Sequence, residues 1–276
     1  TLSGSLAAGD ILYGSVDGGG TWTNVTSKAT GTAISWDGAT LSGSNSIQFK
    51  VTDSAGNDGS TVSQAYVLDT TVAAPTMALA TDTGTSSSDN ITSDVTMNVT
   101  LASDVASWEY SLDGGSNWTA GSGTAFELSD DTTFSIGDIQ VKQTDTAGNV
   151  SSATSNAASI TTDSTVAAPS IVLATDTGTS SSDNITSDAT VNVTLAADVA
   201  SWQYSLDSGS NWTTGSGTSF ELTANSSFAI GAIQVKQTDT AGNISSAVSN
   251  TAAITTDSTV AAPTMALATD TGTSSS

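Results

Sequence analysis

Tandem two-sheet β-sandwiches, antiparallel and all-β, are the architecture this sequence predicts, and three observations carry the prediction. The first is a repeat. The stretch from Asp163 to Thr186, DSTVAAPSIVLATDTGTSSSDNIT, recurs with small changes from Asp69 to Thr92 and begins again at Asp257. Pro75, Pro169 and Pro263 stand 94 residues apart, which is too long for a solenoid repeat and close to the roughly 100 residues of an immunoglobulin-like sandwich. The second is alternation. Trp108, Tyr110 and Leu112, like Ile139, Val141 and Gln143, occupy every other position, the period of a half-buried strand, and no segment has a helical period. The third is punctuation: Gly, Asp, Asn and Ser separate the runs, and Asp113-Gly-Gly-Ser is a hairpin signal because glycine supplies the positive φ of a tight turn.

Taken in order, residues 1–69 read as an incomplete immunoglobulin-like domain without its first strand. Tyr13-Gly-Ser-Val-Asp17 followed by Trp22 parallels Tyr110-Ser-Leu-Asp113 followed by Trp118, and Ile47 to Asp53 parallels Ile139 to Asp145. Residues 70–163 and 164–257 are full repeats. In the first of them the strands are expected at Thr76–Thr81, Val95–Leu101, Ser107–Leu112, Asn117–Ala120, Ala125–Leu128, Asp138–Thr144 and Val150–Ile160. Residues 258–276 read as the first strand, Thr264–Ala268, and partial loop of a further repeat. Without disulfides, each sandwich depends on an apolar core: Trp108, Tyr110, Phe126, Phe134, Ile139 and Val141 in the first repeat, and their counterparts Trp202, Tyr204, Phe220, Phe228, Ile233 and Val235 in the second.

Composition narrows the function classes. Acidic residues number 27 against 4 basic ones, a net charge of −23, so nucleic acid and anionic membrane are poor partners. Charged residues are only 11% of the chain, and the strand-like alternation argues against disorder. Cysteine and histidine are both absent, which removes thiol chemistry, the commonest general base and the usual zinc or copper ligand. There is no Gly-x-Ser-x-Gly elbow or phosphate loop, so an enzyme is not expected. A multi-domain chain without cysteine fits a secreted protein stabilised by something other than disulfides. No apolar run approaches the roughly 20 residues of a membrane span, and no signal peptide precedes Thr1, so the chain reads as a mature excerpt.

The acids that remain suggest a hard cation. In a sandwich of this topology the loop after the first strand lies at one end, together with the exit to the next repeat, and the turn before the last strand lies at the other. One junction therefore receives Asp82 and Asp89, the linker residue Asp163, and Asp239 of the next repeat's turn Thr238-Asp-Thr-Ala-Gly-Asn243. The equivalent positions are Asp69 and Asp145 before, and Asp176, Asp183 and Asp257 after. Carboxylates with hydroxyls and carbonyls suit structural calcium, which takes about six to eight oxygens in flexible geometry. The other reading is that these residues only close turns by side-chain to backbone hydrogen bonds. The repeats supply a comparison: Pro75–Ala168 and Pro169–Ala262 differ at 21 of 94 positions, and Glu109, Asp130, Asp131 and Asp138 lose their charge in the second, whereas every junction acid is kept.

The string DTTVAAP, LATDTGTSSSDNIT, WEYSLDGGSNW, GTAFEL, IQVKQTDTAGN resembles the bacterial immunoglobulin-like repeats of giant surface adhesins of the biofilm-associated and type I-secreted RTX classes. The resemblance implies an extracellular or cell-surface extender that holds an adhesive tip away from the cell, with calcium at its junctions and Asp82, Asp89, Asp163 and Asp239 as ligand positions. It implies neighbouring repeats as the partners, and it places the ligand of the adhesive tip outside this chain.

Two alternatives stand beside it. Exposed tryptophans would suggest a carbohydrate-binding module, although Trp108 and Trp202 read as core and Trp118 and Trp212 lie near hairpin turns. The ragged ends allow a filament in which the apolar strand of one chain completes the head of an identical chain, against the simpler expectation that the sequence is a window cut from a longer array. Lys50, Lys142 and Lys236 recur on one strand and read as solvated, edge-protecting residues.

Overall fold

The computed structural model describes residues 1–266. At the head are β1 (Ile11–Ser15), β2 (Thr23–Asn24), β3 (Ala29–Thr30), β4 (Ala33–Ile34), β5 (Asn45–Thr52) and β6 (Val62–Tyr66). The first full repeat contributes β7 (Thr76–Leu79), β8 (Ile91–Thr92), β9 (Thr96–Thr100), β10 (Val105–Ser111), β11 (Thr119–Ala120), β12 (Ala125–Glu127), β13 (Thr132–Phe134), β14 (Gln140–Asp145), β15 (Thr154–Ser155) and β16 (Ile160–Thr162). The second contributes β17 (Ser170–Leu173), β18 (Ile185–Thr186), β19 (Thr190–Thr194), β20 (Val199–Ser205), β21 (Thr213–Thr214), β22 (Ser219–Glu221), β23 (Ser227–Phe228), β24 (Gln234–Asp239), β25 (Val248–Ser249) and β26 (Ile254–Thr256). The fold is that of immunoglobulin-like β-sandwiches in tandem. Of the predicted terminal strand Thr264–Ala268, the first three residues are irregular and the last two lie outside the described residues.

These elements form two compact units, one of residues 1–75, 101–108 and 142–153, the other of residues 76–100, 109–141 and the chain from Thr154 onward. In the first unit the head strands make an antiparallel sheet in the order β2-β1-β5-β6. Leu12 on β1 is fully buried, but Ile47, Phe49 and Val51 on β5 are only half-buried. They line a cavity of about 800 Å³ with Leu12, Ile34 and Trp36.

The second unit contains the whole of the second repeat, where the sandwich is complete. Its four-stranded sheet runs β21-β20-β24-β25, and the facing layer is two three-stranded sheets, β17-β19-β22 and β18-β26-β23. Alternate residues of β19, β20 and β24 point inward. Val191, Val193, Trp202 and Val235, with Ile233 just before β24, thus meet Phe220, Leu222, Phe228 and Ile254 in one core. Trp202 is 5% exposed, and its indole nitrogen donates to the carbonyl of Gly217 at 3.1 Å. The indole lies so close over Gly215 that a side chain there would overlap its ring. In the first repeat Trp108, Phe126, Phe134, Ile139 and Val141 are also buried.

Two local features depart from the expected strands. The run Val150–Ile160 is two short strands, β15 and β16, separated where the chain changes sheets. Asn156 holds that crossing: its side-chain oxygen accepts from the amides of Gly137 and Ile139, each at 3.0 Å, and its amide donates to the carbonyls of Ser135 and Ala158. Having crossed, β16 pairs with β13 antiparallel and with β8 in parallel, and β26 pairs likewise with β23 and β18. The ladder is therefore antiparallel except at β8 and β18. The lysines also have a more specific place than edge protection: the ammonium of Lys236 lies 4.2 Å from the Trp212 ring centroid and that of Lys50 lies 5.0 Å from the Trp22 ring centroid.

Candidate metal centre

Two clusters of three carboxylates stand out among the described residues, Asp69–Asp104–Asp145 and Asp163–Asp198–Asp239. In each, one carboxylate oxygen per residue lies within 4.8 Å of the other two. The first lies wholly in the first unit and the second wholly in the second.

The second cluster shows how the sequence builds it. Asp239 is the last residue of β24 and is 0% exposed. One of its oxygens accepts the Asn243 amide at 2.8 Å and the other accepts the Asn243 side chain at 2.8 Å, closing the turn. That same side-chain nitrogen donates to the carbonyl of Asp163 at 2.7 Å, tying the linker to the turn. From the other side the Asp163 amide donates to Thr92 at 2.9 Å, one step beyond the parallel pairing of β16 with β8. Asp198 closes the triangle because the amide of Thr240 donates to its carbonyl at 3.0 Å, which holds the loop before β20 against the turn. The first cluster repeats the turn and loop contacts, with Asn149 donating to Asp145 and to the Asp69 carbonyl and the Thr146 amide donating to the Asp104 carbonyl.

The electrostatics of the members differ. Burial raises the pKa of Asp163, and the charges of Asp239, Asp198 and Asp131 raise it further. Asp145 is held below the usual carboxylate range, chiefly by the side-chain amide of Asn149 and then by backbone amides of its turn. A linker carboxylate that is partly buried and faces other carboxylates is thus disfavoured in its ionised form.

The structure therefore brings together four of the nine residues singled out from sequence, Asp69 with Asp145 and Asp163 with Asp239. Asp82 and Asp89 join neither cluster. Asp89 accepts the amide of Ile91 at 3.2 Å, and Asp82 accepts that of Asn90 at 3.0 Å, so both fasten their own loop. Asp176 and Asp183 do the same with Asn184 and Ile185. Asp257 has the backbone setting of Asp163, its amide donating to Thr186 at 2.8 Å. One oxygen each of Asp82 and Asp176 is buried without a hydrogen-bond partner.

Asp104 and Asp198 are the members that sequence reasoning overlooks. A signal for them exists: the position is acidic in both repeats, and Asp10 holds the same place in Ala8-Gly9-Asp10-Ile11 as Asp104 in Ala102-Ser103-Asp104-Val105. Their loop precedes the strand beside β14 or β24, so topology sets it at the same end as the Asp-Thr-Ala-Gly-Asn turn.

The donor set is oxygen only, three carboxylates with one deeply buried, and it fits a hard divalent cation better than a soft one. The tryptophans fit a binding platform less well, since Trp202 is core and Trp212 carries Lys236 on its face.

No protein-family model matches the chain, and no curated protein matches it. Among solved structures, the fibronectin(III)-like modules of Clostridium thermocellum CbhA align at a TM-score of 0.35 and 8% identity, over 70% of this chain and 100% of that one. A biofilm-associated protein BSP domain aligns at a TM-score of 0.21 and 16% identity, over 80% of this chain and 44% of that one.

Proposed function

We propose that this chain is a run of extender repeats from a bacterial cell-surface or secreted adhesin, stiffened by calcium where one repeat follows another. The observation that carries the reading is the Asp163–Asp198–Asp239 cluster, because it joins a linker residue to two loops of the repeat that follows. Three ionised carboxylates at this separation repel one another and push the linker away. A divalent ion reverses the sign of that interaction and fixes the linker to the domain. Calcium is favoured over magnesium because the ligands come from three flexible segments, while magnesium demands a tight octahedron and retains its waters. The buried core of the second repeat lets the linker before it loosen without unfolding.

Small-angle scattering of the full chain tests the reading. Calcium should sharpen the distribution of interatomic distances and chelator should broaden it, with the β-sheet circular dichroism unchanged in both. Asp163→Ala should blunt the response to calcium. A distance distribution indifferent to calcium would remove the stiffening role.

A second reading is favoured by the apolar groove of the head, where Leu12, Trp36 and Phe49 face a cavity of about 800 Å³. An apolar strand from an identical chain laid along this groove would give a head-to-tail fibre. Filaments that disappear when residues 263–276 are deleted would support it. A native chain far heavier than 27.3 kDa would speak for a covalent array instead.

A further inference from the structure

The loop Asp82-Thr-Gly-Thr85 of the first repeat rests on the turn Thr240-Ala-Gly242 of the second. The Thr83 hydroxyl donates to the carbonyl of Ala241 at 2.7 Å, and the Thr85 amide donates to that of Thr240 at 3.3 Å. Gly84 lies between them with φ +93, and a Cβ there would overlap the Thr240 carbonyl. Ala241 is 0% exposed, whereas Ala147, its counterpart in the identical sequence Thr144-Asp-Thr-Ala-Gly-Asn149, is exposed. The contact therefore excludes a side chain at one position and leaves room only for a methyl group at the other.

We propose that this loop is a docking key by which one repeat recognises the Thr-Ala-Gly turn of the next, and that Gly84 and Ala241 are the residues that decide which turns it accepts. The partner chemistry is specific. The turn must offer two carbonyl oxygens at adjacent residues, the second of them alanine, and the loop must supply one hydroxyl and one amide across a glycine. Neither donor belongs to the carboxylate cluster, so the key needs no ion. It meets the cluster at one point, because Thr240 follows Asp239 directly and is itself fixed by Asp198.

The second repeat carries an internal control. Residues 175–184 have the same sequence as residues 81–90, so their amides have equal intrinsic exchange rates. Gly178 has a similar backbone, φ +102, but the nearest atom to a Cβ there is the Ile185 carbonyl oxygen at 3.8 Å. The Thr177 hydroxyl makes only the loop's own contacts, to Thr186 and Ser187, among the described residues.

Residue-resolved hydrogen exchange by NMR on the full chain, in chelator, decides the matter. The Thr85 amide should exchange about tenfold more slowly than that of Thr179. Gly84→Ala should bring Thr85 to the rate of Thr179, while Gly178→Ala, which imposes the same backbone strain, should leave Thr85 protected. Protection at Val99 reports whether the sandwich has folded. Should Gly84→Ala abolish it, Ala241→Leu against Ala147→Leu makes the same comparison from the other side. Equal rates at Thr85 and Thr179 in the unmodified chain, or protection of Thr85 that survives both Gly84→Ala and Ala241→Leu, would overturn the proposal. Because the comparison is made without calcium, its outcome does not depend on whether the carboxylates bind an ion.

Discussion

One residue type does two different jobs here, and its surroundings assign them. Asp113 and Asp207 each accept the side-chain amide of an asparagine four residues on, and their pKa falls to about 2, with that asparagine the largest cause. Asp163 moves the other way through burial and like charge. The signs follow. A carboxylate with a depressed folded pKa adds stability that is present above its unfolded value near 3.8 and is lost as the pH falls through the folded value of about 2. Asp163 is the reverse: its ionisation destabilises the fold, and the penalty disappears once acid has protonated it. Carboxyl carbon shifts in a calcium-free NMR titration should therefore show Asp207 titrating near 2 and Asp163 above 3.8. Calcium should draw the Asp163 midpoint down, since proton and cation compete for one oxygen. A midpoint that ignores calcium would place the ion elsewhere. Sequence distinguishes these roles poorly, because Asp89, a turn residue, and Asp163, a cluster member, sit in the same kind of Ser- and Thr-rich text.

At the scale of the element, alternation is what the sequence displays best, and it is where reading and structure agree. Trp202 and Val235 lie on strands long enough to show a period, and both are buried in the sandwich core. The strands β8 and β18 are two residues long and pair in parallel. Two residues have no period, and nothing local marks the partner. The break between β15 and β16 is hidden for a related reason: it is made by Asn156, whose four side-chain hydrogen bonds reach residues up to 21 positions away. The two kinds of tryptophan give a test of this level. Trp202→Ala removes a core side chain that touches both sheets and should cost about 3–5 kcal/mol. Trp212→Ala removes a half-buried ring under a lysine and should cost about 1 kcal/mol. Urea unfolding of the two variants should separate them clearly, and equal losses would mean that the hairpin ring bears on the core.

At the scale of the whole molecule the question is which part of the charge matters. The net −23 is spread over a long chain, and salt near 0.15 M screens charges beyond about 8 Å. Within a cluster one oxygen from each carboxylate lies within 4.8 Å of the other two, so monovalent salt should relax the general repulsion and leave the repulsion within the clusters. The two clusters predict two calcium ions per chain, read by calorimetric titration of chelator-treated protein in that salt. Asp198→Asn should leave one, and Asp104→Asn with Asp198→Asn should leave none. Asparagine is the informative substitute because it keeps the shape and the backbone carbonyl that receives Thr240, and removes only a charge. The sign of its effect on stability then depends on the ion. Without calcium, Asp198→Asn relieves repulsion at Asp163 and Asp239 and should melt at or slightly above the parent temperature. With calcium at a hundred times its dissociation constant, the parent gains about 2.7 kcal/mol per site and the variant does not. The order of melting temperatures should therefore reverse on adding calcium. A variant that melts lower by the same amount in both conditions would show that Asp198 only holds its loop.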